Sequence, residues 1–304
     1  MNRKKFIQTS LGMAGAGMVS PSLFASGPEI TGKNIMNRTE IKKSLKFGMV
    51  QEDISIEEKF RMLKDLGFDG VEMDSPNELN NRDIITARDR TGLEIPGVVN
   101  SVHWKSPLSD PDEQVRRACF DSMITALDDC KEYGGTTVLL VPGVVNADVS
   151  YEDAYLRSQQ EIRKLIPHAE ETGVKIAIEN VWNNFLISRR EAARYLDEIN
   201  SPVVGWYFDV GNIVRYGWPE HWIRTLNRRI LKLDVKEYSR EKQRNEGISK
   251  GFDVELMEGD CNWPVVNKSL EEIGYNGWAS AEVPGGNRKR IEQISMLMDK
   301  IFKS

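Results

Sequence analysis

The sequence predicts an α/β chain that closes as a single (β/α)8 barrel. Three observations carry this. Short apolar or β-branched runs alternate with longer amphipathic stretches eight times from Lys46 onward. Eight such units over about 255 residues match the size of one such barrel. Carboxylates stand at the ends of several of the apolar runs, and a barrel of this kind places its chemistry at those strand ends. The rival is a doubly wound open sheet. It would bring a Gly-rich turn after its first strand, and Gln51-Glu52-Asp53 holds none.

The candidate strands are 46–50, 70–74, 95–101, 136–141, 175–180, 203–209, 230–236 and 278–283. Each leads into a segment with helical spacing. The helix after the fifth strand begins at Ser188, with Glu191 three residues on, which is the pattern of a capping box. Several helix ends carry glycine, at Gly67, Gly92, Gly173 and Gly274, shortly before the next strand. The barrel domain is expected over 45–304. Residues 28–44 are polar and charged and read as a linker.

Residues 1–27 differ in composition. Arg3, Lys4 and Lys5 precede a weakly apolar stretch rich in Gly, Ala and Met, closed by Ala25, Ser26 and Gly27, with no acid before Glu29. This is the layout of a secretory signal peptide, with a twin-arginine-like start, and it predicts a periplasmic protein. A short amphipathic N-terminal helix is the alternative.

The 304 residues carry 41 Lys+Arg against 46 Asp+Glu. Loss of 1–27 removes three positive charges and no negative ones, leaving 38 against 46 and a net charge of −8. That balance argues against a nucleic-acid partner. No apolar run of about 18 residues interrupts the body, so no membrane span is expected there. Three His exclude a His-rich metal cluster, and three Cys, at 119, 130 and 261, exclude a disulfide framework. Cys119 and Cys130 fall in an amphipathic helix and are expected as buried thiols.

Any metal site must therefore rest on carboxylates. Glu72, Glu179, Asp209, Asp234 and Glu282 each lie near the end of a predicted strand. A single acid in an apolar strand is usually structural, because an ionised carboxylate there is costly unless paired or ligated. Glu179, Asp209, Asp234 and Glu282 end four consecutive strands, and their convergence predicts a cation site built from oxygen ligands. Side chains alternate along a strand, so Asp234 and Lys236 share a face, here the barrel interior.

From about Lys46 to Phe302 the chain resembles the sugar phosphate isomerase/epimerase family of xylose isomerase-like TIM barrels. The residues that carry the likeness are Gly67-Phe68-Asp69-Gly70-Val71-Glu72, Ile178-Glu179-Asn180, Phe208-Asp209-Val210-Gly211-Asn212, Glu258-Gly259-Asp260-Cys261-Asn262-Trp263, and Gly274-Tyr275-Asn276-Gly277-Trp278 leading to Glu282. The resemblance implies one divalent cation, with Glu179, Asp209 and Glu282 as ligands. Asp234 stands where the family usually has a His. Four carboxylates favour Mn2+ or Mg2+, with Co2+ and Zn2+ also used in the family. Lys236 is the nearest cation in sequence to offset the extra charge. Two alternatives remain at this point: Asp234 pairs with Lys236 and leaves three ligands, or the site has lost its metal.

The resemblance further implies that Glu179 and Glu282 are the catalytic acid/base pair, with Lys236 beside them. They would remove and return a proton next to a sugar carbonyl, through an enediolate that the metal stabilises. Glu72, His103, Trp182, Asn212 and Arg240 are the expected substrate contacts, with Arg244 a second loop candidate. The partner is a small carbohydrate, and barrels of this family often form dimers or tetramers. Export favours a free sugar or glycoside over a sugar phosphate. The same proton abstraction on a 3-keto-glycoside would expel the C1 substituent, which is lyase chemistry. A metal-free carbohydrate-binding barrel is the non-enzymatic alternative, and an abasic-DNA endonuclease is disfavoured by the His count and charge.

Overall fold

The computed structural model describes residues 40–304. The expected export signal over 1–27, and the linker as far as residue 39, lie outside the described residues.

Eight parallel strands form one sheet: β1 Ile41–Leu45, β2 Met73–Ser75, β3 Gly97–Asn100, β4 Thr137–Leu140, β5 Lys175–Glu179, β6 Val204–Asp209, β7 Ile230–Val235 and β8 Gly277–Ala281. They are hydrogen-bonded in the order β1-β8-β7-β6-β5-β4-β3-β2. The ring shuts between β1 and the chain just before β2. There Glu72 N–H donates to Leu45 O (2.9 Å) and Phe47 N–H donates to Glu72 O (2.8 Å). The predicted (β/α)8 barrel is what forms.

The main helices are α1 Ile56–Asp65, α2 Asn81–Thr91, α3 Glu113–Glu132, α4 Tyr151–Thr172, α5 Arg189–Ile199, the short α6 Val210–Val214, α7 Pro219–Leu226, α8 Arg240–Glu246, α9 Trp263–Glu272 and α10 Arg288–Ile301. The capping box at Ser188 is present: its side chain accepts from Glu191 N–H, and Glu191 answers the cap backbone. Gly92 and Gly173 end α2 and α4 in the left-handed conformation, which only glycine adopts cheaply. Cys119 and Cys130 are both fully buried in α3. No helix among the described residues is long and apolar enough to cross a membrane.

One strand departs from expectation. The apolar run 46–50 forms a 3-10 turn over Phe47–Met49, and the first strand is the five residues before it. Ile41 to Ser44, read as linker, therefore belong to the barrel. Their lysines gave them a polar look, yet each finds a partner. Lys42 Nζ lies 2.7 Å from Glu94 Oε1, and Lys43 Nζ runs outward to Ser295 Oγ (2.8 Å) and Asp299 Oδ1 (2.6 Å) on α10.

The large apolar core lies between the ring and the helices. Inside the ring the apolar filling is small, centred on Leu139, Ala177 and Tyr207. Above that layer the interior turns ionic.

Candidate active site

The four predicted acids meet. Glu179 ends β5, Asp209 ends β6, Asp234 is the next-to-last residue of β7, and Glu282 directly follows β8. Register aligns them: Asp209 lies opposite Asp234, and Asp234 opposite Ser280, two residues before Glu282. One oxygen from each lies within 4.8 Å of one from every other. Asp209 and Asp234 are fully buried, Glu179 nearly so, and Glu282 is half-buried at the mouth.

Two lysines hold this cluster. Lys236 Nζ lies 3.1 Å from both Asp209 Oδ2 and Glu282 Oε2. Lys46 Nζ lies 2.9 Å from Asp234 Oδ1 and 2.7 Å from Glu72 Oε2. The cation beside Asp234 is thus Lys46, not Lys236 as sequence proximity implied. Sequence reading missed Lys46 because it was placed at the start of a strand rather than just past the end of one.

Burial first, then Glu282, Asp234 and Asp209, pushes the Glu179 carboxyl well above the ordinary carboxylate range. Burial likewise pushes Asp234 well up and Asp209 to about 6, against the pull of Lys46 and Lys236 respectively. Glu282 goes the other way: burial works to raise it, but Lys236 and Lys46 outweigh that and hold it ionised. Asp209 Oδ2, both Asp234 oxygens and Glu282 Oε2 are buried without a hydrogen bond of good geometry. Converging, crowded oxygens with unmet acceptor capacity, three of the four acids also with raised proton affinity, are what a hard divalent cation satisfies. The residues present fit such an ion.

Glu72, expected at the substrate, lies one layer deeper. Its Oε1 accepts from Lys232 Nζ (2.9 Å), and its Oε2 accepts from Lys46 Nζ (2.7 Å) and Tyr207 OH (2.7 Å). Both oxygens are occupied, and through Oε2 it anchors Lys46. Burial would raise its pKa, but Lys232 and Lys46 outweigh it and hold Glu72 ionised. The two-residue period of β7, which aligns Lys232, Asp234 and Lys236, was the available signal for Lys232.

Arg240 is also engaged elsewhere. Its guanidinium donates to the carbonyls of Val214 (3.1 Å) and Gly217 (2.5 Å) and lies over Trp218, 5.2 Å from the ring centroid. It pins the end of α6 and the turn after it.

Asn212 and Trp182 do border the acids. Asn212 Nδ2 donates to Asn180 O (3.0 Å) and lies 3.4 Å from Glu179 Oε1, while its backbone N–H caps onto Asp209 Oδ1 (2.7 Å). Trp182 donates from Nε1 to Asn212 O (2.9 Å) and packs on Phe252, centroids 4.6 Å apart. Phe252 in turn lies 5.3 Å from Lys236 Nζ. Together they form an apolar wall beside the acids, of which Phe252 was not anticipated. Asn180, quoted earlier only within its motif, stitches β5 to β6: its Oδ1 accepts from Trp206 Nε1 (2.8 Å) and Asp209 N–H (3.2 Å).

His103 is buried in the loop after β3. Val141 N–H donates to its Nδ1 (3.3 Å), and burial pushes its pKa down to about 4. The ring is therefore neutral at pH 7, with its proton on Nε2 as a donor.

A closed (β/α)8 ring with polar groups converging at the C-terminal ends of its strands is the layout in which barrel enzymes place their chemistry. Residues 60–300 match the model of the xylose isomerase-like TIM barrel family, and the chain belongs to that family. The L-ribulose-5-phosphate 3-epimerase UlaE of Shigella flexneri is 28% identical over 238 residues, which span 72% of this chain and 79% of that protein. Among solved structures, the 3-keto-D-glucoside 4-epimerase YcjR of E. coli superposes with a TM-score of 0.71 at 15% identity, over 87% of this chain and 100% of that one. A D-tagatose 3-epimerase-like protein superposes with a TM-score of 0.72 at 20% identity, over 86% and 97%. At those identities the structures speak to the fold alone.

Proposed function

We propose that the chain is a divalent-metal-dependent sugar epimerase or isomerase, working by proton transfer at the carbon next to a carbonyl. The observation that carries this is the set of four converging carboxylates, three of which carry buried oxygens without a hydrogen bond of good geometry, in a chain whose relatives include sugar epimerases. Glu179, Asp209, Asp234 and Glu282 are the ligand set, and Mn2+ or Mg2+ suits four oxygen donors best. Bound there, the cation supplies Lewis-acid polarisation of the substrate carbonyl.

The protein's own groups do the rest. Glu179 and Glu282 are the outermost of the four acids in the strand order, on β5 and after β8, and so bracket the other two. Each has one oxygen directed: Asn212 Nδ2 faces Glu179 Oε1, and Lys236 faces Glu282 Oε2. That leaves Glu179 Oε2 and Glu282 Oε1 to take and return the proton. His103 Nε2–H is a neutral donor for a substrate hydroxyl, and the Trp182–Phe252 wall offers an apolar face to a sugar ring. The basic, small-residue-rich N-terminus supports export to a periplasm, where a free sugar or a glycoside is the fitting substrate.

Incubation with ketoses in D2O and Mn2+ tests the reading. Deuterium should enter the carbon beside the carbonyl, and Glu179→Gln and Glu282→Gln should each slow exchange by at least about 100-fold. Full exchange in either variant would remove that residue from the pair. Aglycone release from 3-keto-glucosides, without epimerisation, would reassign the same proton abstraction to elimination.

A further inference from the structure

Eight acids and lysines gather at the top of the barrel, with Asp74 exposed beside them and ion-paired to none of them. Five carboxylates (Glu72, Glu179, Asp209, Asp234, Glu282) meet three lysines (Lys46, Lys232, Lys236). With every group ionised, five negative charges against three positive ones leave −2. A cation of charge two neutralises that set, and one of charge three over-fills it.

The three lysines are not equivalent. Lys232 is wholly buried and bonds Glu72, beneath the cluster. Lys236 serves Asp209 and Glu282. Among the described residues, Lys46 is the sole cation within 4.0 Å of Asp234. It is also held in place from three sides. Glu72 Oε2 lies at 2.7 Å, Tyr207 OH at 3.2 Å, and the Tyr207 ring centroid at 4.5 Å. Its backbone sits in the seam that closes the ring, bridged to Glu72. An ammonium fixed this firmly beside a buried carboxylate acts as a permanent countercharge rather than a mobile donor.

We propose that Lys46 is a positioning residue which, through Asp234, tunes the site to a divalent cation. The inference rests on the metal site proposed above and adds what sets its charge preference. A single charge a few ångströms from a buried ion changes its affinity by more than tenfold at the effective dielectric of protein interiors. Removal of Lys46 therefore favours a trivalent ion over a divalent one, and a purely structural role would leave that preference unchanged.

The test uses full-length protein stripped of metal. Tb3+ uptake is read by luminescence and Mn2+ uptake by calorimetry. Lys46→Met should raise the Tb3+ to Mn2+ affinity ratio at least tenfold, and Lys46→Arg should keep it near the unsubstituted value. Lys46→Met/Asp234→Asn, which restores −2, should bring the ratio back to within about threefold. A ratio in Lys46→Met that stays within threefold of the unsubstituted protein overturns the proposal. A parallel cycle of melting temperatures on the metal-free proteins separates the two readings. If the unsubstituted protein takes up neither ion, the metal site fails and the tuning with it, while a cycle in which Lys46→Met costs melting temperature and the double variant regains it would still establish the Lys46–Asp234 pair. Uptake without that recovery overturns the pairing alone. Should Lys46→Met not fold, Lys46→Gln keeps the reach to Glu72 and Tyr207 and carries the same expectations.

Discussion

Asp209 illustrates at the scale of one residue what the site does to acid chemistry. Burial raises its carboxyl from 3.8 to about 6, more than Lys236 can counter. A group whose folded pKa is raised stabilises the fold when protonated, and loses that contribution as pH rises through the folded value. The metal-free protein should therefore lose melting temperature between about pH 4 and 6.5 from this group. A bound divalent cation competes with the proton, so Mn2+ should raise the melting temperature more at pH 7.5 than at pH 5. Melts with Mn2+ and with a chelator at both values check this; an equal shift at both would remove Asp209 from the ligand set. Such residues were legible in the sequence because an acid in an apolar strand is conspicuous. Lys46 was not, because two of its partners, Glu72 and Tyr207, lie 26 and 161 residues away. The partners of Arg240 were hidden for the same reason: the carbonyls that hold it belong to the end of α6 and the turn after it, 26 and 23 residues earlier.

At the scale of the element, the segment after β7 shows how a long connection is made rigid. Glu237 is buried just past the strand end. Its carboxylate accepts from Met257 N–H (2.8 Å), Cys261 N–H (3.1 Å) and Trp263 Nε1–H (2.9 Å). One side chain thus ties both ends of a loop that carries α8 and Phe252, the latter forming part of the wall beside the acids. Glu237→Ala would leave three donors unpaired and should cost about 3 kcal/mol or more in urea unfolding, with loss of the Trp182–Phe252 contact. A cost within experimental error would show that the loop is held by its apolar contacts instead. The helices and most strands were legible because periodicity and capping act locally, as at Ser188 and Gly173. The first strand was not, since Lys42 and Lys43 are satisfied only by Glu94 and α10.

For the whole molecule, eight repeats and a first strand without a Gly-rich turn predicted the closed ring, and the strand order bears it out. Charge is the other global property. The chain carries −5 as written and −8 without 1–27, and much of its interior acidity is gathered at the top of the barrel. We propose that the first 27 residues are an export signal cut from the working protein. N-terminal sequencing of protein recovered from cells should begin near residue 28, and an intact Met1 would sink the proposal.

Because β1 pairs with β8, the ring has no natural beginning. Glu40 N–H donates to Asn276 Oδ1 (2.8 Å), and the last residue, Ser304, lies against Asn267 of α9 (Nδ2 to Oγ, 3.1 Å). Glu40, Asn267, Phe302 and Lys303 line one shared hollow. Both ends of the described chain therefore leave from the floor of the barrel, the face opposite the acids. Whatever is fused behind Ser304, a surface tether or a reporter, would start from the face opposite the acids.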